Sequence, residues 1–151
     1  MKLYFDVCCL SRITDDQSQA RIRHEAQAIE KLMALVSDAS AIWVASAAMT
    51  AEVSRNPDLE RRRDAMTMLS FAQEFIALNE DVIERARILE SLGFAAFDSL
   101  HLACAEFARV DVFLTTDDRL IRRAQRGVGD LAMRVVNPLS LVEELLSNAD
   151  T

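Results

Sequence analysis

Short strand-like segments and helical stretches alternate along the whole chain, and that alternation restricts the fold more than any other feature. Residues 2–7 are apolar and aromatic and predict a first strand. A helix is expected over 17–37, where Ile22, Ala26, Ile29, Met33 and Val36 recur at helical spacing and form one apolar stripe. Residues 41–45 predict a second strand, followed by a helix that stops before Asn56-Pro57. There Asn56 suits an N-cap, Pro57 a first helical position, and Asp58 and Glu60 the positive helix end. The helix so opened is expected to run to about residue 73. Strands over 75–78, 112–115 and 133–136 follow. Between and after them come helices from the Asn79 cap to Gly93, over 95–109 and 117–126, and from Asn137-Pro138 to about 147. Strands joined through helices need crossover connections. The expected fold is therefore α/β, a mostly parallel sheet of four to five strands in a three-layer α/β/α arrangement.

A chain of 151 residues, 51% of them hydrophobic, can build one core, and only 3 Gly and 2 Pro leave little room for a linker. Residues 1–151 thus read as a single domain. The longest uncharged apolar stretch, residues 40–51, is too short to span a bilayer, and Asp6 interrupts anything resembling a signal segment. The expectation is a cytoplasmic protein without a membrane segment. Cys8, Cys9 and Cys104 form no CxxC and no zinc spacing, so they read as buried, reduced small hydrophobes. A net charge of −7 argues against binding nucleic acid by bulk charge. Carboxylates that hold metal count as negative in that sum, however, while the bound ions reverse the local field.

Ligands of open parallel sheets bind beyond the carboxyl ends of the strands. Asp6 lies near the end of the first strand and Asp117 follows the fourth, so both belong to that rim. Either one can equally serve as a helix cap. Asp98 stands in the apolar run Phe94-Ala95-Ala96-Phe97-Asp98-Ser99-Leu100-His101-Leu102, where an ionised carboxylate is costly unless something pairs with it. A first-turn capping role is the alternative. Glu52 ends a nearly charge-free stretch, and a solvent-facing helix end explains it as well as a site does.

Taken in order, Leu3-Tyr4-Phe5-Asp6-Val7-Cys8-Cys9-Leu10, Thr50-Ala51-Glu52-Val53, Phe97-Asp98-Ser99-Leu100-His101-Leu102-Ala103 and Leu114-Thr115-Thr116-Asp117 resemble a PIN-domain protein. The chain is most similar to the VapC-like ribonucleases, the toxins of type II toxin–antitoxin pairs. The resemblance spans nearly the whole length and implies that Asp6, Glu52, Asp98 and Asp117 occupy the family's acidic metal-binding positions. It departs at Cys8, where the family often has Ser, Thr or Asn; a thiol is the weaker hydrogen-bond partner. The implied activity is hydrolysis of RNA phosphodiesters with Mg²⁺ or Mn²⁺. Asp6, Asp98 and Asp117 would contact metal directly or through water, and Glu52 would bind a second ion or orient the attacking water. The implied partners are a cognate antitoxin, whose arginine can occupy the acidic groove, and a second copy in a homodimer.

Arg119, Arg122, Arg123 and Arg126 share one helical face beginning just after Asp117, a candidate phosphate track or a solvated face. Arg61-Arg62-Arg63 splay around a helix and read as surface or partner contact. His101, one turn from Asp98, reads foremost as a packed helix histidine and secondarily as a general base. Two other readings remain. One is a catalytically weak PIN-like module that binds protein or RNA. The other is a haloacid dehalogenase-type phosphatase, which wants a second Asp where Cys8 stands. A receiver-like phosphoacceptor would need a lysine better placed than Lys2 or Lys31.

Overall fold

The computed structural model describes residues 1–149. Its elements are β1 (Lys2–Phe5), α1 (Val7–Thr14), α2 (Ala20–Ser37), β2 (Ile42–Ser46), α3 (Ala47–Ser54), α4 (Leu59–Leu69) and β3 (Glu74–Ile76). They continue with α5 (Glu80–Ser91), α6 (Ala96–Phe107), β4 (Val112–Leu114), α7 (Asp118–Gln125), β5 (Arg134–Val136) and α8 (Pro138–Ala149). The sheet runs β3-β2-β1-β4-β5, and every neighbouring pair is parallel. This is the expected three-layer α/β/α arrangement, with the sheet at five strands. Leu3, Tyr4 and Phe5 are fully buried, as a central parallel strand covered on both faces must be. Trp43 packs edge-on against Phe5 in the same core. Among the described residues, no helix is long and apolar enough to cross a membrane.

Three anticipated boundary signals act as read. Asn79 accepts from the Val82 amide, Gly93 closes α5 with φ +105°, and Asn137 accepts from the Leu139 amide ahead of α8. Two others differ. Asn56 is not the cap of α4: its side chain accepts from the Asp58 amide, and Asp58 in turn caps α4 through Glu60 and Arg61. The helix also ends sooner than expected because Gln73 joins the sheet, exchanging bonds with Trp43 through its amide (3.0 Å) and side-chain oxygen (2.8 Å).

Helix α1 is absent from the sequence-based expectation. Val7, Ile13 and Thr14 are β-branched and disfavour a helix on their own. The Asp6 cap and burial of Cys9 and Leu10 in the core hold it instead.

Behind α1 lies a charged cluster. Glu25 is fully buried and accepts from Arg12 Nε (2.9 Å), Arg21 Nε (3.3 Å) and Asn137 Nδ2 (2.6 Å). Arg21 continues to the Asp118 carboxylate (2.9 and 3.0 Å) and the Thr116 carbonyl (3.1 Å). One buried carboxylate thereby ties α1, α2 and the start of α8 to the corner between β4 and α7. Replacing Glu25 with Ala strands these donors, but both arginines reach solvent and can rehydrate. The expected loss is roughly 2 kcal/mol, below the 3–5 typical of a fully buried pair. It is to be read as a lower urea midpoint with an unchanged m-value.

Candidate active site

The sheet order reverses at β1, so β1 and β4 flank the point where a crevice opens at the carboxyl ends of parallel strands. Asp6 follows β1 immediately, and its amide donates to the Leu114 carbonyl of β4 at 2.8 Å. Asp6 is only 6% exposed. One oxygen, Oδ1, caps α1 through the Val7 amide (2.8 Å). The other, Oδ2, accepts from the Thr115 hydroxyl (2.9 Å) and the Cys8 thiol (3.5 Å).

Thr115 Oγ1 also accepts the Asp117 amide at 3.1 Å, which ties the second acid to the first. Cys8 Sγ accepts the Thr116 amide at 3.3 Å. Cys9 and Cys104 are buried as expected, whereas Cys8 is half-buried and bonds to Asp6 and Thr116.

Asp117 is exposed and caps α7, accepting from the Arg119 and Leu120 amides (3.0 and 3.3 Å). Both bonds fall on Oδ1, so Oδ2 is left to face another ligand. Asp98 lies in the first turn of α6, where the N-cap is Ala95 and no side chain caps the helix. The capping alternative for Asp98 is therefore not what the fold uses. Burial pushes its carboxyl up to about 6, and the charges of Asp6, Asp117 and Glu52 push the same way. Burial raises the Asp6 carboxyl as well, against the hydrogen bonds from the Thr115 hydroxyl and the Val7 amide. Asp98 thus feels all three of the other acids.

Asp98 and Asp117 line a cavity of about 190 Å³ with Gly93, Phe94, Arg119 and Arg123. The Arg123 guanidinium binds the Gly93 carbonyl and lies over the Phe94 ring, 5.9 Å from its centroid. Gly93 takes a left-handed φ of +105°, which favours glycine, and the end of the Arg123 side chain lies against its Cα. The arginine face divides: Arg119 and Arg123 border this cavity, whereas Arg122 lends its charge to Asp118 and Arg126 closes α7 as its C-cap. Of the other basic run, Arg61 binds the Asp15 carboxylate and the Ser11 carbonyl, and Arg62 binds the Asn56 carbonyl.

Glu52 borders a separate cavity of about 380 Å³ with Arg55, Asn56 and Arg61. Its carboxylate meets His101 Nε2 at 2.7 Å. His101 is fully buried, and its Nδ1 lies 2.7 Å from the Tyr4 hydroxyl, which is itself 2.6 Å from Ser46 Oγ. The sequence reading placed His101 foremost in packing and passed over Tyr4, Ser46 and Thr115. The three-residue step from Asp98 to His101, already visible in the sequence, stacks them on one face of α6, whereas no local signal marks Tyr4, Ser46 or Thr115.

One donor atom each from Asp6, Glu52 and His101 lie within 4.8 Å of one another, a spacing that can hold a metal ion. Crowded carboxylate oxygens suit Mg²⁺ or Mn²⁺, and a cation would relieve the repulsion that adds to burial in raising Asp98. The residues fit such an ion.

No family model and no curated protein sequence matches this chain. Solved structures do. A chain of VapBC2 from Rickettsia felis, crystallised with a DNA fragment from their promoter, is 13% identical with a TM-score of 0.57, over 91% of this chain and 100% of that one. A chain of FitAcB from Neisseria gonorrhoeae is 16% identical with a TM-score of 0.56, over 90% and 97%. At these identities the likeness establishes the PIN-like fold.

The raised Asp98 has a consequence for stability. The folded metal-free protein binds the Asp98 proton more tightly than the unfolded chain does. That stabilisation is present below about pH 4 and is lost as pH rises toward about 6. Asp98→Asn is expected to stabilise the metal-free protein above pH 6 by on the order of 1 kcal/mol, discounted for partial exposure. Below pH 4 the gain should vanish. Urea unfolding across this range checks it, and a pH-independent difference would count against a perturbed Asp98.

Proposed function

We propose that this chain is a metal-dependent endoribonuclease, the toxin of a type II toxin–antitoxin pair. The observation that carries the proposal is that Asp6, Asp117 and Glu52, gathered about the strand-order reversal, all act on Asp98 and add to the burial that raises its carboxyl to about 6. The motif resemblance and the shared fold with chains of VapBC2 and FitAcB support the toxin reading.

In this reading Asp6, Asp98 and Asp117 hold Mg²⁺ or Mn²⁺ directly or through water. Glu52 holds a second ion or orients the attacking water. An ion bound there supplies a water of lowered pKa and positive charge for the phosphodiester oxygens. Thr115 and the cap bonds to Val7, Arg119 and Leu120 keep the aspartates aimed before substrate arrives. Arg119, beside Asp98 and Asp117, receives the RNA backbone, with Arg122, Arg123 and Arg126 extending the track. Arg123, already engaged with Gly93, shapes the cavity wall as well. A cognate antitoxin and a homodimer complete the proposal. The phosphatase and receiver readings lose ground to it. Cys8 sits where a second Asp would be required, and Lys2 stands at the amino end of β1, paired with Glu74 at 3.0 Å.

Purified protein incubated with a mixed RNA pool is expected to cleave with Mg²⁺ or Mn²⁺ and to stop with EDTA or with Asp98→Asn. Cleavage surviving both would sink the carboxylate–metal mechanism, and no cleavage of any RNA would favour a binding module. Arg119→Ala should weaken binding of single-stranded RNA and make the salt slope shallower by about 0.7, the value of one phosphate contact. An unchanged slope would remove Arg119 from the RNA path.

A further inference from the structure

A buried run of hydrogen bonds joins three of the elements that carry the acids. Tyr4 lies on β1, two residues before Asp6, which follows that strand. His101 follows Asp98 by three on α6, and Ser46 caps α3, the helix that carries Glu52. Ser46, Tyr4 and His101 are each 0% exposed. We infer that His101 is a positioning residue: a one-way hydrogen-bond chain from Ser46 through Tyr4 fixes its ring hydrogen on Nε2, which holds the Glu52 carboxylate and keeps the imidazole out of the metal's ligand set. The reason Glu52 must be held rests on the nuclease reading above. The placement of the hydrogen does not.

The direction follows from what each group can donate. An ionised carboxylate only accepts, so the hydrogen between Glu52 Oε1 and His101 Nε2 belongs to the ring. Ser46 Oγ already takes the Met49 amide at 3.2 Å, so the Ser46 hydrogen goes to the Tyr4 oxygen and the Tyr4 hydrogen to Nδ1, which therefore carries none. Every hydrogen in the run has an acceptor. With the hydrogen on Nδ1 instead, a bare ring nitrogen would face a carboxylate oxygen at 2.7 Å, acceptor against acceptor.

A nitrogen that donates to Glu52 has no lone pair left for a cation, although His101, Asp6 and Glu52 approach within 4.8 Å. Glu52 needs such a hold. Its side chain is 33% exposed, and among the described residues His101 provides its one hydrogen bond. Partners behind ligating carboxylates orient them in this way at metal sites generally.

Nitrogen-15 NMR of the metal-free full chain at neutral pH reads the hydrogen directly. The expected result is a ring protonated at Nε2 alone; hydrogen on Nδ1 alone, or on both nitrogens, overturns the inference. Electron spin-echo spectra with Mn²⁺ give a second readout that needs no RNA cleavage. No directly coordinated nitrogen is expected, and a coordinated imidazole would make His101 a ligand. If no Mn²⁺ binds while Nε2 carries the hydrogen, the metal reading fails and the hydrogen-bond chain stands.

Variants separate holding from packing. Tyr4→Phe keeps the ring stacked on Phe113 at 5.2 Å and removes the donor to Nδ1. It is expected to lower kcat roughly tenfold with KM for RNA little changed. His101→Gln, which keeps an N–H for Glu52, should retain several-fold more activity than His101→Leu. Equal losses in these two variants, or an effect on KM alone, would reduce His101 to packing.

Discussion

Like charge gathered at a half-dry sheet edge is the constraint around which this structure is arranged. A parallel sheet delivers the carboxyl ends of β1, β2 and β4 to one side, and the acids attached there repel one another. Nothing about hydrophobic burial favours that arrangement, so something must hold each carboxylate in place. Backbone amides and the Thr115 hydroxyl do so for Asp6 and Asp117, and His101 does so for Glu52. Asp98 accepts no hydrogen bond among the described residues, and it is the acid whose carboxyl is pushed up to about 6. The rest of the fold supplies rigidity at a distance. Glu25 and Arg21 fasten α2 to the Thr116–Asp118 corner, which keeps the β4 rim from drifting away from β1.

Much of this was legible because it is local. Alternating strand and helix signals imply crossovers, and crossovers imply a parallel sheet whose active edge is known in advance. Asn79, Gly93 and Asn137 act within a few residues of themselves and could be read one at a time. The failures are non-local. Helix α1 has weak intrinsic propensity and forms because Cys9 and Leu10 find the core. Gln73 leaves its helix for a partner on β2, thirty residues away. The role of His101 depends on Tyr4 and Ser46, far off in sequence, so a reading of α6 alone sees one buried histidine on an apolar helix. Asn56 was misread for a subtler reason. Asn-Pro-Asp offers two capping side chains in three residues, and the tertiary path selected Asp58.

The net charge of −7 looks ill-suited to a protein that handles RNA until the arginines are followed to their partners. Arg12, Arg21, Arg61, Arg85 and Arg134 are consumed in ion pairs within the fold. Arg119 is not: among the described residues its guanidinium makes no ion pair, and it borders the cavity that holds Asp98 and Asp117. Local charge placement, rather than the sum, decides what an acidic protein can attract. A cation at the four acids would shift that balance further by cancelling the nearest negative field.

Capping and metal binding were competing readings of Asp6 and Asp117 in the sequence, and the geometry dissolves the competition. In each carboxylate the cap bonds fall on Oδ1. The remaining oxygen of Asp6 is turned to Thr115 and Cys8. The two uses reinforce each other. A bond from the helix amides pins the side-chain torsion, which spares a ligand the entropy of ordering it, and the positive helix end favours the ionised form. Asparagine would keep the cap almost intact, since Asn and Asp are near equals there, while removing the charge. The structural role of these positions is thus separable from the chemical one by a single atom. That is why an aspartate at a strand end cannot be assigned from its helix alone: the second oxygen must be followed across the sheet.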